Sequence, residues 1–270
     1  MSPSKMRTSR ISPAKINLFL YLVGRDNRGY HKLQSLFCTI PNLHDSISFE
    51  KSDKLEIISD IEDNLIERAA KACNVDDLKI SLIKNIPIGA GLGGGSSNAA
   101  TTLLEIGSRY NISRDELIAK KIGEDVEFFL YEENALYFNS HEVNRVNLGL
   151  KLDILIVKPD FSINTRDVYD IARQEVSSND LHPIVDIDNL KYYIFSGDNQ
   201  LYNFALKINC DLQKVINELY SHSGVIVARM TGSGSSCFGI FESQAQAVAA
   251  GIKIKSKYDK WFTHITQLHI

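Results

Sequence analysis

The residues best equipped for chemistry read Pro87-Ile88-Gly89-Ala90-Gly91-Leu92-Gly93-Gly94-Gly95-Ser96-Ser97-Asn98-Ala99-Ala100. Five glycines fall within the seven positions 89–95, and glycine loses more backbone entropy on folding than any other residue. A chain carries that cost where backbone must bend tightly or approach a ligand. The alanine-rich run that follows predicts a helix from about Ser96 to Arg109. A glycine loop entering a helix gathers unbonded amides and the positive end of the helix dipole on one spot. That arrangement holds nucleotide phosphates. It is not a Walker A loop, because Ser96 stands where that motif requires lysine, and the third glycine and ribose-binding acid of a dinucleotide fingerprint are missing. The plain alternative is a tight turn with Ser96 as N-cap.

Two other segments carry polar groups in suggestive places. Ser12-Pro13-Ala14-Lys15-Ile16-Asn17-Leu18-Phe19-Leu20 is followed by Arg28-Gly29-Tyr30-His31. Lys15 and Asn17 project together from a strand end, where an ammonium can steady a hydroxyl and incoming phosphoryl charge; the alternative is a solvated lysine at a strand terminus. Met230-Thr231-Gly232-Ser233-Gly234-Ser235-Ser236-Cys237-Phe238-Gly239 lies between two apolar runs. It reads either as a flexible hairpin loop or as a second amide-rich anion loop.

These three segments, in this order, resemble the three motifs of the GHMP kinases, from about Ser12 to Phe241, with little recognisable detail between residues 175 and 224. The longer glycine run and the Pro-Ala-Lys and Gly-Tyr-His segments are similar to the branch of that family that phosphorylates 4-diphosphocytidyl-2-C-methyl-D-erythritol in non-mevalonate isoprenoid synthesis. The resemblance implies a two-domain α+β fold. A ribosomal-S5-like ATP-binding and catalytic domain would cover residues 1–158, and a ferredoxin-like domain residues 159–270. It also implies ATP with Mg²⁺, and transfer of phosphate to the 2-hydroxyl of the cytidyl substrate. The alternatives are a homoserine or mevalonate type of kinase and a non-catalytic RNA-binding module of the same fold.

Site roles follow from the same resemblance. The catalytic base sits in a Gly-Ala-Asp-Val-Pro segment of the family, and here the segment reads Gly123-Glu124-Asp125-Val126-Glu127. Asp125 takes the aspartate position; Glu124 replaces a small residue and Glu127 replaces proline. Both glutamates would have to point away from phosphate. Asp125 is also suited to cap a helix after Gly123. Lys15 would keep the base ionised and polarise the hydroxyl. Positions Pro87 to Ser97 wrap the ATP phosphates, and Asn64 and Lys84 resemble residues lining the ATP pocket. Tyr30 and His31 match residues that hold cytosine. Tyr169 aligns with an aromatic residue closing the other side, although on a helix it is equally suited to core packing. Asn17, Thr165, Gly232, Ser233 and Gly234 complete the substrate set. No protein ligand for the metal is evident beyond Ser97 as a candidate.

These groups must be positioned by ordinary elements. Ile16, Leu18, Leu20 and Leu22 predict one apolar face of a strand, with Lys15 and Asn17 on the other. Further strands are expected near residues 33–40, 46–50, 54–59, 78–83, 152–157, 225–230 and 237–241, with a last one at the end of the chain. Helices are expected near 64–73, 166–175, 188–194, 200–207, 211–221 and 244–257. Ser113-Arg114-Asp115-Glu116 fits a capping box opening another helix that Gly123 would stop. Strands and helices mix without strict alternation, which argues for α+β.

The bulk properties fit a globular enzyme: 270 residues, 44% hydrophobic, 23% charged, formal net charge −3. Such a surface gives no reason to expect duplex DNA or another polyanion as partner. The four cysteines, Cys38, Cys73, Cys210 and Cys237, show no zinc spacing and read as reduced, mostly buried thiols. No signal-peptide core and no membrane-length apolar run is present. The expectation is a cytoplasmic monomer or weak homodimer acting on a small molecule.

Overall fold

The apolar alternation near the N-terminus folds into two long strands, β1 (Thr8–Arg25) and β2 (His31–Lys51). They belong to a computed structural model that describes residues 7–25, 31–61, 64–112, 119–123, 125–139, 142–176 and 185–270. Both faces of β1 are buried from Ala14 to Leu22, which corrects the expected one-sided strand. Lys15 and Asn17 are 3% and 1% exposed, so the reading of a solvated lysine does not hold. The two runs expected at 33–40 and 46–50 are one strand. Its residues 34–38 pair with β5 (Ala135–Asn139) and residues 46–51 pair with β4 (Leu78–Ile83). Pro41, which lacks a ladder donor, falls between those two paired stretches.

The chain divides into two compact units. The first comprises the described residues of Met1–Ala14, Pro41–Ile86 and Gly93–Glu133; the second comprises Lys15–Ile40, Pro87–Leu92 and Asn134–Ile270. In the first, β4 pairs antiparallel with β2 and parallel with β3 (Glu56–Ile58). Helices α1 (Leu65–Ala72), α2 (Gly94–Tyr110), α3 (Ala119–Ile122) and α4 (Val126–Leu130) belong to the same unit. Helix α2 packs against both α1 and α4. Its buried Ala99 and Ala100 suit that close packing, because a short side chain keeps helix axes near one another. The core joins Ile47, Phe49, Ile66, Leu78, Ile80 and Ile106. The capping box at Ser113–Glu116 lies outside the described residues; α3 ends at Ile122, immediately before Gly123 as expected.

In the second unit β5 also pairs with β6 (Glu142–Arg145). A separate antiparallel sheet runs β10 (Phe262–His269), β7 (Lys151–Lys158), β9 (Cys237–Phe241), β8 (Val225–Met230). Helices α5 (Thr165–Glu175), α6 (Leu190–Ser196), α7 (Tyr202–Ile208), α8 (Leu212–Tyr220) and α9 (Gln244–Lys257) accompany it. Leu155, Val157, Val168, Leu201, Leu219, Phe241 and Ile254 form its core. The α+β class is borne out. All four cysteines are free; Cys38 and Cys237 are buried, Cys73 is half-buried and Cys210 is exposed. No helix among the described residues is long and apolar enough to cross a membrane.

Candidate active site

The glycine loop is divided between the units at the bond from Leu92 to Gly93. In the first unit, α2 begins two residues earlier than expected. Gly93 is its N-cap in the left-handed region, φ 71°, and no side chain caps it. Ser96 therefore lies inside the first turn, not at the cap. The first helical hydrogen bond is donated by Ser97 N to Gly93 O, at 2.9 Å, so the amides of Gly94, Gly95 and Ser96 precede it with no helical acceptor. The first turn holds no acidic residue. Unbonded amides, the dipole and the absence of acidic side chains from the turn itself make it suited to an anion.

The surroundings of that turn are specific. A Cβ on Gly94 would lie 3.0 Å from Lys84 Nζ, which places this ammonium beside the helix start. Leu65, at the start of α1, would lie 3.6 Å from a Cβ on Gly95 and 3.8 Å from one on Gly123. Ser96 Oγ would lie 3.7 Å from the same position on Gly123. The starts of α1 and α2 and the turn leading into α4 thus converge. Asp125 sits at the N-cap of α4 yet makes no side-chain capping bond, so the capping role is not the one its carboxylate plays. Glu127 is in the first turn of α4; Glu124 lies outside the described residues. Asn64 caps α1, accepting from Ile66 N at 3.0 Å and donating to Ser59 Oγ at 3.2 Å.

Beneath α2 lies a polar network that sequence reasoning missed. Asp45 is fully buried. It accepts from Asn85 N at 2.8 Å, Ile86 N at 2.9 Å and Asn98 Nδ2 at 2.9 Å, and it pairs with Lys84. Asn98 also donates to Ser12 Oγ at 2.9 Å and accepts from Lys84 Nζ at 3.2 Å. Ser12 Oγ donates to Ser97 Oγ at 2.8 Å, and Ser97 is itself fully buried. The strand alternation held a signal: Asp45 shares the inward parity of Leu43, Ile47 and Phe49, so an acid there must be buried and must find donors.

The second unit gathers the first motif, the front of the glycine loop and the third motif. Lys15 N donates to Leu92 O at 2.9 Å, and Lys15 Nζ donates to Asn17 Oδ1 at 2.6 Å. Asn17 donates through Nδ2 to Ser35 Oγ at 2.7 Å and through its backbone to Thr231 Oγ1 at 2.8 Å. Lys15 Nζ is 5.1 Å from the Phe37 ring centroid and would be 3.4 Å from a Cβ on Gly232. Ser236 N donates to Ala90 O at 3.1 Å. Gly91 has φ 71°, and a Cβ there would meet the carbonyl oxygens of Thr231 and Gly234 at 2.7 Å each. The two glycine loops are therefore in backbone contact. A Cβ on Gly89 would meet Ser162 Oγ at 2.8 Å. Pro87 and Ile88 lead into this stretch, and Ile88 is exposed.

Helix α5 extends the site. Thr165 Oγ1 lies 2.8 Å from Ser233 Oγ. Tyr169, one turn on along the same face, is half-buried against the core of this unit, so the packing reading holds for at least part of its ring. His31 lies near the Ala172 backbone and the Arg25 and Arg173 charges. Neither ring nitrogen makes a well-formed hydrogen bond among the described residues. Tyr30 lies outside them. Burial first, then the Arg25 charge, holds the His31 ring below its ordinary pKa. In the unfolded chain the ring takes its proton near about 6.5. Its contribution to stability is therefore whole above that value and declines as pH falls toward the lowered folded value. Denaturant titrations at pH of roughly 7.5 and 5.5 are expected to show a smaller loss of stability in His31→Gln than in the unaltered chain.

The comparisons with known proteins match these motifs. The model for the GHMP kinases N terminal domain covers residues 64–132, and that for GHMP kinases C terminal covers residues 197–260. The chain is 31% identical over 278 residues to 4-diphosphocytidyl-2-C-methyl-D-erythritol kinase of Anaplasma marginale (strain Florida), covering 95% of this chain and 96% of the relative. It is 33% identical over 273 residues to the enzyme of the same name from Burkholderia cenocepacia (strain HI2424), covering 92% and 90%. A crystal structure of 4-(cytidine 5'-diphospho)-2C-methyl-D-erythritol kinase superposes with a TM-score of 0.81 at 28% identity, covering 97% of this chain and all of that one.

Proposed function

The chain belongs to the GHMP kinases, within the 4-diphosphocytidyl-2-C-methyl-D-erythritol kinase family, and from that premise we propose that it transfers the terminal phosphoryl group of ATP to the 2-hydroxyl of that cytidyl substrate. It is an ATP-dependent kinase, which sets aside the non-catalytic RNA-binding reading. The observation that carries the proposal is the uncapped, acid-free first turn of α2 beside Lys84.

Phosphoryl transfer asks for positioning, charge stabilisation and an acceptor for the hydroxyl proton. In this reading the amides of Gly94, Gly95 and Ser96 bind the nucleotide phosphates, and Lys84 adds a positive charge. Asp125 takes the hydroxyl proton. Lys15, fixed by Asn17, orients the acceptor and balances developing charge. His31, Tyr30 and Tyr169 hold the cytosine end, and Thr165 and Ser233 hold the middle of the substrate. Magnesium would offset phosphate charge when bound with ATP. Residues 1–158 would serve ATP and catalysis, residues 159–270 the rest, in a cytoplasmic monomer or weak homodimer.

Gly91→Ala tests the loop. The left-handed backbone costs a residue with a Cβ about 1–2 kcal/mol, and the two carbonyl contacts leave no room for the methyl. The loop must shift, and a shift of about 1 Å is expected to lower kcat/KM by about 10²-fold. Steady-state kinetics on the folded variant measure it. The assignment itself is tested by ADP release with the diphosphocytidyl compound, mevalonate and homoserine in parallel. Turnover of the first alone is expected; turnover of either other compound without the first overturns the choice of substrate.

A further inference from the structure

The loop after β8 is held by a residue that no motif marks. Asn199 is 1% exposed. Its Nδ2 donates to Met230 O at 2.9 Å and to Gly232 O at 2.8 Å, and its Oδ1 accepts from Leu201 N at 3.0 Å. Both amide protons are thus committed to one loop. The flanking backbone is tied to β1: Leu20 N donates to Asp198 O at 2.9 Å, and Gln200 N donates to Leu20 O at 3.0 Å. The same strand carries Lys15 and Asn17, and Asn17 N bonds to Thr231 in the same loop. Asn199 is therefore anchored to β1 through the backbone on either side of it.

That grip has a directional consequence. In a trans peptide the carbonyl and the following N–H point opposite ways. With Gly232 O held by Asn199, the Ser233 N–H is turned away from Asn199. The neighbouring amides are occupied: Thr231 N donates to Ser236 O at 3.0 Å and Gly234 N donates to Thr231 O at 3.1 Å. The N–H groups of Gly232 and Ser233 reach no acceptor among the described residues. Gly232 has φ 56°, next to Lys15 Nζ, and successive amides in such a turn form a concave anion site.

We propose that Asn199 is a positioning residue: by holding the Gly232 carbonyl it aims the Ser233 amide, beside the unbonded Gly232 amide, at a phosphate oxygen of the reacting substrates. The oxygen belongs either to the transferring phosphoryl group or to the diphosphate of the cytidyl substrate. This rests on the kinase reading above, so turnover by the unaltered chain is established first. No turnover of any of the three acceptors there counts against that reading, whereas the clamp has a readout of its own. Hydrogen exchange of residues 231–236 is expected to speed up in Asn199→Ala while the rest of the second unit keeps its protection.

Kinetics then separate positioning from packing. Asn199→Asp keeps the shape but turns an acceptor toward two carbonyls, whereas Asn199→Ala leaves a small void. If the donor matters, the aspartate variant loses at least as much kcat/KM as the alanine variant, about 10²-fold. Asn199→Ser, which keeps one donor, recovers part of the loss and covers the case in which the alanine variant folds poorly. A fall in kcat assigns the phosphate oxygen to the transferring group, and a rise in KM for the cytidyl substrate assigns it to the diphosphate. Near-normal kinetics in Asn199→Asp, with a loss only in Asn199→Ala, mark a space-filling residue and overturn the proposal. So does unchanged exchange at residues 231–236.

Discussion

Replacing Asp125 with asparagine is expected to lower kcat by about 10²–10⁴-fold and to leave ATP binding close to that of the unaltered enzyme. Asp125 stands at the N-cap of α4 without making a capping bond, so the isosteric amide removes no cap. The amide cannot accept a proton, so the loss falls on the chemical step. The proposed nucleotide amides belong to a different helix, α2, and are untouched. Stopped-time assays at saturating substrates give kcat, and fluorescence titration gives the ATP dissociation constant. An unchanged kcat removes Asp125 from the mechanism; lost ATP binding reassigns it to the nucleotide site.

Asp45→Ala is expected to lower folding stability by about 3–5 kcal/mol, the penalty for leaving a buried charge without its partner. Four donors converge on this carboxylate: two backbone amides, Asn98 and Lys84. Alanine strands the two backbone amides and leaves the mostly enclosed Lys84 without a counter-charge from Asp45. Asn98 sits in the second turn of α2, so the damage also reaches the helix start proposed to hold phosphate. Urea denaturation measures the loss. A change below about 1 kcal/mol would place Asp45 with surface pairs, whose deletion costs no more than that.

Much of this was legible in the chain. Strand β4 (Leu78–Ile83), strand β8 (Val225–Met230), strand β9 (Cys237–Phe241) and helix α9 (Gln244–Lys257) occupy the spans expected from periodicity alone, because each is bounded by polar or glycine-rich turns and carries an unbroken pattern. The short α4, β5 and β6 were not read. Five residues or fewer give a period little room to show itself, and their apolar residues look alike as helix or strand. Lys15 as a proposed site residue was legible only through its motif. Its burial had a signal in the chain that the one-sided strand reading passed over: Phe19 and Tyr21 fall on the supposed polar face, so β1 is apolar on both sides. The start of α2 was misplaced because serine is the commoner cap, whereas here a left-handed glycine serves and leaves the amides bare. Asn199 carried no local signal of its clamp: the two carbonyls it holds lie more than 30 residues away in sequence, and only tertiary structure brings them together.

The most direct test of the central claim is a crystal structure of the chain with a non-hydrolysable ATP analogue, magnesium and the diphosphocytidyl substrate. The account predicts phosphate oxygens about 2.7–3.2 Å from the amides of Gly94, Gly95 and Ser96, and the acceptor hydroxyl at the same kind of distance from the Asp125 carboxylate. Phosphates bound elsewhere, with the first turn of α2 contacting only water, would contradict it.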